Sequence, residues 1–279
     1  MNEIGGREVK RAITYYNHLM DVRDLPRGTI EALLKRAQSW ELYPRRVTSY
    51  GDCFVANLFL EPSTRTRFSF EVAEKRLGIQ VLHFDKSTSS MEKNESLLDT
   101  VKTLSRLGVK VIVLRHKEAE IVSELVNQET ECAIINAGAS IESHPTQALL
   151  DLYTIHKHFN RLEGLRVAIV GDIAHSRVAR STLSILRRFG VEVVISGPEC
   201  MSDTYPCNEV PFLCLEEVLP TVDVVMLVRV QFERHQTEGL FEPKSYLRNY
   251  GLTIERFNRM KPNAVIMHPG PVNRGVEIC

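Results

Sequence analysis

Eight short apolar runs, rich in β-branched residues and poor in polar alternation, constrain this chain more than any other feature. In the first half they are Cys53–Leu60, Gln80–Phe84, Val109–Leu114 and Cys132–Asn136. In the second half they are Arg166–Gly171, Val191–Ser196, Asp223–Val228 and Ala264–His268. Strands covered on both faces read as continuous apolar runs, the signature of parallel sheets. The segments between them are of helix length. Ser63–Leu77 carries Phe70, Ala73 and Leu77 at helical spacing; Glu118–Val126 and Arg180–Arg188 read the same way, and another helix begins near Glu95. This repetition predicts an α/β fold. Four runs in each half predict two domains, 1–150 and 151–279, each a parallel β-sheet flanked by helices. A bridging helix over His144–Phe159 joins them.

Charge and composition exclude several functions. Lys plus Arg number 35 and Asp plus Glu number 35, so the cationic excess of a broad nucleic-acid surface is missing. No apolar run reaches the roughly 20 residues of a membrane-spanning helix, and the N-terminus lacks the apolar core of a secretory signal. The expectation is a cytoplasmic protein with no membrane or nucleic-acid partner. Cys53 and Cys132 lie in strand-like runs and read as buried thiols. Cys200, Cys207 and Cys214 lack the paired spacing of a zinc site. No metal and no cofactor is expected.

Ligands of parallel α/β sheets bind at the carboxyl ends of strands, so the residues following each run matter most. Glu61-Pro62-Ser63-Thr64-Arg65-Thr66-Arg67 follows the first. Ser63 reads as the N-cap of a helix whose first-turn N–H groups, with three hydroxyls and Arg65, would cradle a phosphate. A capped helix with solvated arginines is the alternative. Arg115-His116 ends another run, and His144 with Gln147 opens the bridging helix on one face. Asp172 and then Arg177 follow the fifth run. Arg229 and Gln231 share a face if their strand extends that far, a pair suited to a carboxylate. His268-Pro269-Gly270-Pro271 follows the last. Taken singly, Arg115 reads as a surface ion pair, His144 as a core histidine and Lys93, in the polar loop Ser87–Glu95, as a solvated cation. Together they predict two cationic rims facing one cleft.

Phe59–Glu71 (FLEPSTRTRFSFE), Lys93-Asn94-Glu95, Arg115-His116, His144–Ile155 (HPTQALLDLYTI), Val170–Arg177 (VGDIAHSR), Arg229–Arg234 (RVQFER) and His268–Gly275 (HPGPVNRG) resemble the aspartate/ornithine carbamoyltransferase superfamily. Within it they point to the catalytic chains of the aspartate branch, since His268 is followed by Pro269 where the ornithine branch carries H-C-L-P. The resemblance implies that Ser63, Thr64, Arg65 and Thr66 bind the phosphate of carbamoyl phosphate. It implies that Arg115, His144 and Thr66 contact its carbonyl oxygen, and that Gln147 and the carbonyls of Gly270 and Pro271 hold its amino group. Arg65, Thr66, Arg115 and His144 are thus the catalytic set. Arg177, Arg229 and Gln231 would bind L-aspartate. Ser89 and Lys93 would enter from the neighbouring subunit of a homotrimer, Lys93 adding to the aspartate site.

The implied reaction yields N-carbamoyl-L-aspartate and phosphate in de novo pyrimidine synthesis. Departures from the family are Ala139-Ser140 in the loop before His144, Asn94 where glycine is usual, and Gly275 where an acid is usual. The family continues into a C-terminal helix that returns to the first domain, whereas this sequence ends at Cys279. A transcarbamoylase for another amine and a catalytically weak scaffold subunit are the alternatives. Val170-Gly171-Asp172 begins like a dinucleotide turn, but no G-x-G-x-x-G follows.

Overall fold

The computed structural model describes residues 18–42, 50–84, 94–128, 130–138, 143–201, 210–232 and 243–279. The chain divides into two compact units, Met1–Thr146 and Gln147–Cys279.

The described elements of the first unit are α1 (Arg27–Leu42), β1 (Phe54–Phe59), α2 (Thr64–Arg76), β2 (Gln80–His83), α3 (Leu97–Arg106), β3 (Val109–Arg115), α4 (Ala119–Asn127) and β4 (Ala133–Asn136). The strands form one sheet in the order β2-β1-β3-β4, all pairs parallel. Side chains alternate across it. Ala56 and Leu58 pack with Leu97, Val101, Val122 and Leu125 on one face. Val55 packs on the other, with Val113, Phe59 and Phe70 beside it. Leu19 bridges to Ile135 in parallel register, with its N–H 2.8 Å from the Ile134 carbonyl oxygen, so the outer edge of β4 is paired.

The second unit contains α5 (Pro145–Phe159, which begins just before its boundary), β5 (Arg166–Gly171), α6 (Arg177–Arg188), β6 (Glu192–Ser196), α7 (Leu215–Val218), β7 (Val224–Val228), α8 (Pro243–Tyr250), α9 (Ile254–Phe257) and β8 (Val265–Met267). Its sheet order is β6-β5-β7-β8, again all parallel. Ala168, Val170, Val194, Val225 and Leu227 pack against Leu215, Val218 and Leu219.

Every apolar run is a strand with ends within one residue of those expected. Three expectations about strands and helices in this fold need correction. First, β2 is not a buried strand: Gln80, Leu82 and His83 are exposed, because it lies at a sheet edge with β1 as its one described neighbour. Second, Ala73 faces solvent and Glu74 takes its place in the interior. The Asn57 side-chain amide, on the β1 face toward α2, donates to Glu74 Oε2 at 2.8 Å. Third, α6 begins at Arg177, three residues earlier than the apolar spacing marked, because Ser176 Oγ caps it by accepting from the Ala179 N–H at 3.1 Å. Cys132 is buried as expected but Cys53 is only half-buried; both, with Cys214 and Cys279, are free thiols, and Cys207 and the Cys200 side chain lie outside the description. Among the described residues no helix is long and apolar enough to cross a membrane.

Candidate functional site

In each sheet the chain leaves the first strand toward one edge and later returns to build toward the other. The reversal falls between β1 and β3 in the first unit and between β5 and β7 in the second. Such reversals open a crevice at the carboxyl ends of the two strands. Phe59 pairs with Arg115, so Glu61–Arg67 and Arg115 leave adjacent strand ends. Gly171 pairs with Val228, so Asp172–Arg177 and Arg229–Gln231 do the same in the second unit. The β8 end, next to β7, supplies His268–Pro271.

Ser63 is the N-cap of α2, extended at φ −161° and ψ 98°, and its side chain makes no capping hydrogen bond. Capping serines normally answer one of the orphan first-turn N–H groups. Here that hydroxyl is not so used, and the amide end of α2 keeps its partial positive charge. Thr64 and Arg65 are exposed and Thr66 is half-buried.

Arg115 is held differently. Its Nη1 donates to the Ala137 carbonyl oxygen at 3.2 Å, and its Nε lies 3.6 Å from Glu61 Oε2. Nε is buried with no hydrogen-bond acceptor in reach among the described residues. Burial pulls the guanidinium down from its ordinary pKa, and the Glu61 carboxylate counters this. Gly138 explains how Arg115 meets His144. A methyl group added at Gly138 would lie 2.7 Å from Arg115 Nη1 and 3.0 Å from His144 Cδ2, and φ is +95°. Only glycine allows that backbone to pass so close. The Asn136 side chain sets the turn, accepting from the Gly138 N–H at 2.8 Å and donating to the Met20 carbonyl at 2.9 Å. His144 is buried, with Nδ1 3.4 Å from Thr146 Oγ1. A guanidinium and an imidazole thus flank one point, an arrangement that stabilises negative charge on an oxygen.

In the second unit Arg177 opens the first turn of α6. The β7 strand stops at Val228, so Arg229 and Gln231 are not placed by strand alternation as expected. Two buried carboxylates take the backbone instead. Glu277 Oε1 accepts from the Val230 N–H at 2.8 Å, and Asp172 Oδ2 from the Gln231 N–H at 3.2 Å. The Gln231 amide donates to the His175 carbonyl at 2.6 Å, and Asp172 Oδ1 lies 2.8 Å from His175 Nδ1. Glu277 Oε2 also accepts from the Asn273 N–H at 2.7 Å, which ties the loop after β8 to the loop after β7. Burial pushes the Glu277 carboxyl upward. The Gly270–Pro271 bond is cis.

Gln147, in the first turns of α5, donates through Nε2 to Asp151 Oδ1 at 2.9 Å. Asp151 and Glu277 were not singled out by sequence reasoning, and Asp172 only as the residue following the fifth run; for Asp151 its four-residue spacing from Gln147 was the available signal. Ser89 and Lys93 lie outside the described residues. The described residues hold no group of three His, Cys, Asp or Glu side chains able to bind a metal ion.

Residues 17–157 match the family model for the "Aspartate/ornithine carbamoyltransferase, carbamoyl-P binding domain". Residues 163–279 match that for the "Asp/Orn binding domain". The chain belongs to the aspartate/ornithine carbamoyltransferase family. It is 46% identical over 263 residues to the aspartate carbamoyltransferase catalytic subunit of Streptococcus sanguinis, covering 94% of this chain and 86% of that one. It superposes on Trypanosoma cruzi aspartate transcarbamoylase in complex with N-(phosphonacetyl)-L-aspartic acid with TM-score 0.83 at 27% identity, over 94% and 86% of the two chains. The ornithine carbamoyltransferase of Thermus thermophilus gives TM-score 0.80 at 25% identity, over 94% and 88%. Chain shape is therefore common to both branches of this carbamoyltransferase family, and the sequence relationship is what separates them.

Proposed function

We propose that this carbamoyltransferase moves the carbamoyl group of carbamoyl phosphate to the amine of L-aspartate, giving N-carbamoyl-L-aspartate and phosphate for pyrimidine synthesis. The carrying observation is the meeting of Arg115 and His144 at Gly138, beside the strand end that leads into Ser63–Arg67. In this reading the domain 1–150 binds carbamoyl phosphate and the domain 151–279 binds aspartate. Ser63, Thr64, Arg65, Thr66 and the amide end of α2 take the phosphate. Arg115, His144 and Thr66 donate to the carbonyl oxygen. Gln147 and the carbonyls of Gly270 and Pro271 accept from the carbamoyl amino group. Arg177, Arg229, Gln231 and Lys93 bind the two carboxylates of aspartate.

The aspartate nitrogen attacks the carbonyl carbon and forms a C–N bond. Charge grows on the carbonyl oxygen, where the positioned donors stabilise it; losing one such donor typically raises the barrier by about 3 kcal/mol. The bond from the carbonyl carbon to the bridging oxygen then breaks, phosphate leaves with that oxygen and the electron pair, and the departing phosphate takes the amine proton. Most of the acceleration comes from holding two anions with nitrogen against carbon. The active assembly is a homotrimer in the cytoplasm, with Ser89 and Lys93 lent by the neighbouring subunit.

The test is a carbamoylation assay with competing amines. N-carbamoyl-aspartate is the expected product. Preference for ornithine overturns the assignment.

A further inference from the structure

Carbamoyl phosphate differs from acetyl phosphate in presenting an amino group where the other has a methyl. Selecting it requires an acceptor aimed at that position. A glutamine amide offers an oxygen at one end and two N–H donors at the other, so its orientation decides whether it accepts or donates. Something must fix that orientation at Gln147.

Asp151 lies one turn further along α5. It is buried and has two side-chain partners: Gln147 Nε2 donates to Oδ1 at 2.9 Å, and Thr182 Oγ1, on α6, donates to Oδ2 at 2.8 Å. An ionised carboxylate only accepts. Thr182 occupies one oxygen, and the other then demands the NH2 end of Gln147. Reversing the amide would set two oxygens against each other in a buried place, where an unmet polar group is costly. The Gln147 oxygen is thereby the end left for a ligand.

We propose that Asp151 is a positioning residue that fixes Gln147 as a hydrogen-bond acceptor and so gives the enzyme its preference for carbamoyl over acetyl phosphate. The proposal rests on the assignment of Gln147 to the carbamoyl amino group. Burial pushes the Asp151 carboxyl up to about 7, while the bonds from Gln147 and Thr182 pull it back. The carboxylate form therefore holds Gln147 most firmly at higher pH.

The readout is the KM of carbamoyl phosphate against the inhibition constant of acetyl phosphate, measured above the Asp151 value. A purely structural role would weaken both ligands alike and leave their ratio unchanged. Gln147→Ala should lower the selectivity about tenfold, the worth of one net hydrogen bond. Asp151→Leu should lower it nearly as far. Asp151→Asn, which keeps the shape but accepts either orientation of Gln147, should fall between. In the Gln147→Ala background neither Asp151 change should lower selectivity further. Should Asp151→Leu not fold, the isosteric Asp151→Asn decides alone. If Gln147→Ala lowers selectivity while folded Asp151 variants keep it, the positioning role is overturned. If Gln147→Ala itself keeps selectivity, the role assigned to Gln147 fails, and the proposal with it.

Discussion

Gly138 is the backbone position against which two of the proposed site residues, Arg115 and His144, pack. Its φ of +95° and the 2.7 Å approach of a would-be methyl to Arg115 Nη1 act together. Gly108 has a similar φ of +99° but open space around it, so the two glycines separate strain from crowding. Gly108→Ala should cost about 1–3 kcal/mol of stability and leave kcat unchanged. Gly138→Ala should cost a similar stability and lower kcat about 100-fold, because it displaces Arg115, the donor proposed for the developing oxyanion. Denaturant unfolding and steady-state kinetics on both variants check this. Asp151 carries a pH signature at the same scale. Its pKa of about 7 stands well above that of an ordinary aspartate, so the native state binds its proton more tightly than the unfolded chain. Its favourable contribution is complete below the unfolded value and is lost as pH rises through about 7. Urea midpoints of the parent should fall over that range, and Asp151→Asn should flatten the fall. Asn94 adopts the left-handed conformation at φ +66°, which asparagine tolerates better than most residues.

Strands were the most legible elements because a buried parallel strand needs apolar residues at every position, and that requirement shows directly in a run such as Val224–Val228. Helices were less so. The periodicity of α2 pointed to Ala73, whereas the buried position is Glu74, answered by Asn57 from a strand earlier in the chain. No local pattern reveals a partner 17 residues away. The α1 helix, with Ile30 and Leu34 buried but Leu33 and Leu42 exposed, offers too thin an apolar stripe to be read. The placements of Ser63, Arg115 and His144 were legible because strand ends and helix starts are local features. So was that of Asp172 after the fifth run, but not its bonds to Gln231 and His175; Glu277 and Asp151 were not legible, since their value lies in distant donors. Arg256 makes the same point for the short helices: its guanidinium bonds Glu216 at 3.0 Å and the carbonyls of Leu247, Asn249 and Gly251 at 3.2, 2.8 and 2.6 Å. This fastens α8 and α9 to α7. Arg256→Ala should destabilise the second unit by roughly 3 kcal/mol, with activity per folded molecule retained at low temperature, as thermal melts and assays would show.

For the whole molecule, the proposed reaction places one anion at the strand ends of the first unit and the other at those of the second, and Lys93 in a neighbour's site. Mixing Lys93→Ala with Arg65→Ala chains should restore part of the activity, because a hybrid trimer contains a site with both residues intact; confirmed hybrids without recovery would remove the shared site. The central division of labour is tested most directly by calorimetric titration of carbamoyl phosphate alone into Arg65→Ala and Arg229→Ala. An affinity loss of about 100-fold is expected for Arg65→Ala, the scale of a charge left unpaired. Affinity should be unchanged for Arg229→Ala, whose defect appears as a raised aspartate KM. Equal loss of carbamoyl phosphate binding in the two variants would contradict this division.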